Sequence, residues 1–234
     1  MMNPKQNRNS ESAAGSTRLL HRLTAALLAL VLAVSIALPV FAADEAQTDT
    51  VYINSVQDLL AFAENCGYDQ WSRGKTVILQ EDLSLEDTEW APVASFSGAF
   101  KGNGHTISDV SLMGAYSPAG FFGILEEGGS IQDLTIKGVV NPAGTQKTAG
   151  GLVGTNYGTI INCTFSGAVH GEEEAGGLVG RNETSGTIDH STSRAMVSGA
   201  YSTGGIVGYN LGVITGCTNV GAVNSEYQES ALDM

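Results

Sequence analysis

The chain is short of basic residues, proline, cysteine and aromatics. Eleven Lys and Arg stand against 24 Asp and Glu in 234 residues, and four of the eleven precede residue 23. Binding to nucleic acid needs clustered cations to neutralise phosphates, so that partner is excluded. Five prolines, and glycines that do not recur every third residue, exclude collagen. Three cysteines, Cys66, Cys163 and Cys217, are an odd and low count for an exported disulfide scaffold, and no obligatory disulfide is expected. Charged residues make up only 15% against 42% hydrophobic, which excludes a wholly disordered acidic chain and allows a packed core. Chemistry-bearing motifs are missing too: no His-Glu-x-x-His, no Gly-x-Ser-x-Gly and no phosphate-binding Gly-rich loop occur.

What is present begins with an export signal. Lys5, Arg8, Arg18 and Arg22 form a basic start, Leu23 to Leu38 an uncharged apolar stretch, and Pro39 ends it; Val40-Phe41-Ala42 suits cleavage after Ala42. An uncleaved anchor is the competing reading, because the apolar stretch is long enough to span a bilayer. Membrane contact is thus expected only through residues 1–42, before cleavage, and the product is expected to be secreted or held at the cell surface. Losing four basic residues and one acid leaves seven against twenty-three, a net charge of −16 that attracts cations such as Ca²⁺ without naming a partner.

Glycine marks the next boundary: 27 of 30 lie between Gly98 and Gly221. Residues 43–95 are expected to form a small α/β cap. Val51–Ile53 reads as a strand, then a helix opens at Ser55 with Asp58 completing a variant capping box, with Val56, Leu59, Leu60 and Ala63 on one face. Gly67 ends that helix, and a second strand follows around Thr76–Leu79.

From Phe96 to Val223 the chain repeats itself. The clearest copies are Ala149-Gly-Gly151-Leu152-Val153-Gly154, Ala175-Gly-Gly177-Leu178-Val179-Gly180 and Thr203-Gly-Gly205-Ile206-Val207-Gly208. A second element aligns Ile107, Ile131, Ile160, Ile188 and Ile214 at spacings of 24, 29, 28 and 26 residues. Three residues after each stand Val110, Leu134, Cys163, Ser191 and Cys217, with Asp109, Asp133, Asn162, His190 and Gly216 between as a bend. Helices cannot carry so much glycine, whereas short strands joined by tight bends can. The expected fold is mainly β: a parallel β-helix of about five rungs, about 4.8 Å apart, with right-handed crossovers and interior isoleucine ladders. Cys163 and Cys217 are then separated by the rung of Ser191, about 9 to 10 Å apart, and serve as small core residues.

The run Gly150-Gly151-Leu152-Val153-Gly154 and its copies resemble the GLUG motif, a glycine-rich repeat of secreted and surface proteins, mostly bacterial. Phe96-Ser-Gly-Ala-Phe-Lys-Gly-Asn-Gly-His-Thr-Ile107, with the segment before it, resembles the first rung and cap of pectate-lyase-like right-handed β-helices. The resemblance covers about Val51 to Val223. It implies an exported repeat module, and it brings no catalytic residues. GLUG repeats also accompany bacterial zinc metalloproteases that cut immunoglobulin A, which implies an alternative role as an accessory region of a larger protease.

Candidate site residues are few. Asp109 and Asp133, if equivalent in the repeat, stack two carboxylates about 4.8 Å apart and form a calcium candidate; the bland alternative is that each caps its own bend. Calcium is the one cofactor this pattern suggests. Tyr157, Tyr201 and Tyr209, close to the glycine motifs, are candidates for stacking on sugar rings, against the plainer role of strand tyrosines. Asp189 and His190 could be an acid–base pair, but neighbours on a strand usually point apart. Acidic clusters such as Glu172-Glu173-Glu174 are expected to be solvated loops.

The expected function is a non-catalytic exported module for adhesion or for binding a glycan or protein partner, with loops such as Gly114–Pro118, Asn141–Thr148 and Gly171–Glu174 presented on one side. A polysaccharide-active enzyme is the rival, with only Lys101, Lys137, Arg181 and Arg194 to serve it. Residues 224–234 read as a polar tail, as if cut short, and an open last rung invites self-association.

Overall fold

The computed structural model describes residues 49–68, 70–144 and 148–225. The expected signal segment and its expected cleavage site lie outside them, as do residues 226–234. Among the described residues, parallel strands stack as a β-solenoid of about six turns, with one helix.

Four sheets run along the solenoid. The first holds seven strands, from Thr50–Ile53 through Thr76–Leu79 to Val213–Thr215. The second runs from Leu83–Ser84 to Thr218–Asn219; the third joins Thr148–Gly150, Glu174–Gly176 and Ser202–Gly204; the fourth runs from Val93–Phe96 to Val207–Asn210. Strand alternation sends every second side chain inward, so each register position becomes an interior column. In the first sheet that column is Val77, Phe100, Ile131, Ile160, Ile188 and Ile214. In the second it is Leu83, Ile107, Ile136, Phe165, Ser193 and Asn219.

These registers correct the expected alignment in one coil. Phe100, not Ile107, precedes Ile131, and Ile107 stands in the second sheet opposite Ile136. The corner before Ile107 is made by Asn103 and Gly104, both at positive φ (51° and 81°). Asp133, Asn162, His190 and Gly216 hold the same corner in later coils at φ of 54°, 51°, 45° and 63°. Asp109 also has φ of 60°, but it sits in a bulge of the second sheet between Ile107 and Val110. Thr-Ile-Ser-Asp in the bulge and Ser-Ile-Gln-Asp at the corner look alike locally, and only the long-range pairing separates them.

The helix Val56–Asn65 starts as expected: Ser55 Oγ accepts from the Asp58 N–H at 3.1 Å, and Asp58 Oδ2 accepts from the Asn54 N–H at 3.0 Å. Its inward residues are Leu59 and Phe62; Leu60 faces solvent instead. Phe62 meets Phe96 and Phe100 with ring centroids at 5.6 and 5.7 Å, closing the first end of the core with aromatic packing. The sheets begin before the glycine-rich boundary at Phe96, since Thr76–Leu79, Leu83–Ser84 and Val93–Phe96 already form a coil. Among the described residues no helix is long and apolar enough to cross a membrane.

Candidate binding surface

The three G-G-[LI]-V-G copies build the turn from the third sheet to the fourth, where the chain folds most tightly. Their glycines are required by closeness. A Cβ on Gly151 would lie 2.3 Å from the Phe165 ring, and one on Gly177 would lie 2.1 Å from Ser193 Oγ. Leu152, Val153, Leu178 and Val179 are wholly buried, whereas Ile206 and Val207 in the last copy are only partly so. The repeat motif is therefore an architectural device, and Gly154, Gly180, Gly205 and Gly208 are crowded in the same way.

Two residues beyond each motif glycine lies a feature the sequence reading missed. Asn156 and Asn182 are fully buried, and their amides form a ladder: Asn156 Nδ2 donates to Asn182 Oδ1 at 2.7 Å, and Asn182 Nδ2 to Asn210 Oδ1 at 2.8 Å. The recurrent Val-Gly-x-Asn at residues 153–156, 179–182 and 207–210 was the signal available for it. Phe96 and Leu125 hold the equivalent positions in earlier coils.

The carboxylates expected to pair do not. Asp109 accepts from Ser84 Oγ (2.6 Å) and Ser108 Oγ (2.7 Å), and these hydroxyls hold its carboxyl below the usual carboxylate range. Asp133, at the corner, accepts from Asn162 Nδ2 at 2.5 Å. The two are not register equivalents, so the stacked calcium pair is not formed. Among the described residues, no three His, Cys, Asp or Glu side chains gather as a metal site.

The tyrosines occupy three segments of the coil. Tyr157 follows the fourth sheet, Tyr201 (68% exposed) lies between the second and third, and Tyr209 stands on the fourth, so they do not form one platform. Tyr209 instead carries the Arg181 guanidinium 4.6 Å above its ring. Arg181 is further held by Glu183 and Glu174, each at 2.6 Å, and both raise its pKa, Glu183 the more. His190 Nδ1 meets Asp189 Oδ1 at 2.8 Å, so these neighbours turn together, not apart, because His190 is in the left-handed region. Asp82 accepts from the Thr106 N–H at 2.9 Å and meets His105 Nδ1 at 3.1 Å, and both hold its carboxyl low, the Thr106 bond first.

All three cysteines are free. The Cys163 N–H donates to Ser191 Oγ at 3.0 Å, which places the serine rung next to it as expected. Burial pushes the Cys66 and Cys163 thiols up to about 12, so neither is a nucleophile at neutral pH.

A concavity lies where the helix C-terminus meets the first coils. It is a groove of about 590 Å³ lined by Tyr68, Gln70, Ser72, Arg73, Ser95, Ser97, Glu126 and Glu127, with Cys66 at its edge. Tyr68 is 64% exposed and offers a ring face; Ser95 Oγ donates to Glu126 Oε1 at 2.7 Å, and Ser72 and Ser97 hydroxyls bond at 3.2 Å. An aromatic face beside a guanidinium, carboxylates and hydroxyls suits a polyhydroxylated ligand: the ring takes the apolar face and the polar groups take the hydroxyls. Sequence reasoning could not assemble it, since residues 66–73, 94–97 and 126–127 share no motif.

The loops that follow the second sheet stack on one corner. The Asn141 N–H donates to Leu112 O, Ala143 N–H to Gly114 O, and Tyr201 N–H to Glu172 O, at 2.9, 3.0 and 3.2 Å.

Comparison with known proteins agrees with this architecture. The chain is 37% identical over 118 residues to halomucin of Haloquadratum walsbyi, covering 45% of this chain and about 1% of that much longer relative. The crystal structure of a candidate immunoglobulin A1 protease from Bacteroides ovatus superposes with a TM-score of 0.55 at 24% identity, covering 64% of this chain and 52% of that one; the likeness is one of fold. The motif and the fold fit a repeat module. The family profile of the GLUG motif matches residues 145–169, which take in the first of the three glycine-rich copies, so the chain is a β-solenoid that carries the GLUG motif.

Proposed function

We propose that the chain is an exported, non-catalytic module that binds an extracellular glycan or a protein partner, secreted or held at the cell surface. The groove beside the helix carries this reading: it is a concavity of about 590 Å³ lined by an exposed aromatic ring with charged and hydroxyl groups. The test is retention of the exported chain on an array of neutral and acidic glycans. Tyr68→Ala and Arg73→Ala are expected to weaken retention about tenfold or more. Retention unchanged in both variants would move the site away from the groove.

A further inference from the structure

The helix Val56–Asn65 borders another concavity, which shares no lining residue with the groove. It holds about 350 Å³ and is lined by Leu60, Ala63 and Glu64 of the helix, by residues 89–92 ahead of Val93–Phe96, and by Tyr116. Leu60, Ala63 and Glu64 stand three and four residues apart, so they share one helix face. Leu60, turned from the core, supplies an apolar wall here. Trp90 is buried, and its ring is held on Phe121 with centroids 4.8 Å and planes 14° apart. Tyr116 is half-buried; a Cβ on Gly114 would lie 2.6 Å from its ring, so the glycine lets the ring fold back against the coil. The walls are therefore aliphatic and aromatic, and the charged groups among them, Glu64 and Glu89, are both carboxylates. Among the described residues neither of these side chains meets a cation or a hydrogen-bond donor, whereas Glu174 and Glu183 share Arg181.

We propose that this pocket binds a small alkylated ammonium cation of the trimethylammonium class. The methyl groups of such an ion gain from apolar walls, and its charge gains from aromatic rings and from the two carboxylates, one on the helix and one ahead of the coil. A metal ion gains nothing from those walls and finds too few oxygens. A neutral ligand of the same shape forfeits the carboxylates, and an anion opposes them. The field of a chain with net charge −13 draws cations in. The pocket stands whether or not the groove binds a glycan.

Calorimetric titration of the exported chain with choline chloride at low ionic strength tests this, against the tert-butyl analogue that keeps the shape of choline and lacks its charge. Saturable choline binding is expected, about tenfold or more weaker for the neutral analogue. Glu64→Gln and Glu89→Gln should each weaken it several-fold while circular dichroism keeps its β spectrum; both side chains are exposed, and if one variant does not fold the other carries the comparison. A second arm with phosphatidylcholine vesicles separates the sources: co-sedimentation assigns the cation to a lipid headgroup, and choline binding without it to a free ion. No saturable binding of choline, equal binding of the neutral analogue, or an affinity that neither substitution moves would each overturn the proposal.

Discussion

Ile188 and Ile214 face the same interior column on successive coils, yet Ile188 is fully buried and Ile214 is not. The same methyl groups therefore have different worth at the two positions. Ile188→Ala is expected to cost about 2–5 kcal/mol, as large-to-small changes in a packed core do. Ile214→Ala should cost less than half as much. Urea unfolding of the two variants checks the difference.

Gly151 and Phe165 meet closely within the GLUG segment. Gly151→Ala drives a methyl into the ring and is expected to destabilise the fold by about 1–3 kcal/mol. Phe165→Ala removes the ring and leaves the Gly177 carbonyl oxygen, 2.6 Å from the added methyl, so the double variant should lose less than the sum of the two single losses but keep part of the Gly151→Ala cost. Additive losses would mean that the glycine is required for another reason.

The buried amide ladder makes a separate prediction. Asn182→Leu keeps the branched shape of the side chain and places an apolar residue where Leu125 stands two coils earlier. It leaves Asn156 Nδ2 buried without its acceptor, at a cost of about 1–3 kcal/mol. Thermal unfolding would register the loss, and replacement by Gln would not restore it, because the longer side chain cannot keep the rung spacing.

Asp82 and Asp109 give the protein an acid limb. Both carboxyls are held below their ordinary value of 3.8 in the folded state, Asp82 first by the Thr106 N–H and Asp109 first by the Ser84 hydroxyl. A lowered folded pKa contributes stability that is fully present above the unfolded value and is lost as pH falls through the folded one. Stability should therefore be level from neutral pH down to about 4 and fall below it. Asp82→Asn and Asp109→Asn should each flatten that limb, as read by melting temperature against pH.

Much of the fold was legible in the sequence because coil after coil repeats the same constraints. Gly-Gly-[LI]-V-Gly and the isoleucines at 131, 160, 188 and 214 mark two corners and one column of each coil. The left-handed bend at Asp133, Asn162, His190 and Gly216 followed from the same alignment. The reading slipped where the repeat is degenerate. Ile107 was aligned with the wrong sheet because Asp109 mimics a corner residue, and that error created the calcium pair. Leu60 was placed inward because it shares the helical period with Val56 and Ala63; Phe62, larger and nearer the aromatic cluster, takes the core instead. The groove was not legible, since strands distant in sequence make it, and the asparagine ladder was overlooked because Asn beside Gly reads as turn chemistry.

The most direct test of the central claim is to incubate the exported chain with pectin, alginate and glycosaminoglycans and to follow retention together with new reducing or unsaturated ends. The account predicts saturable retention on at least one glycan, with no product formed. Sustained product formation that disappears with Arg194→Ala would contradict it and make the solenoid an enzyme.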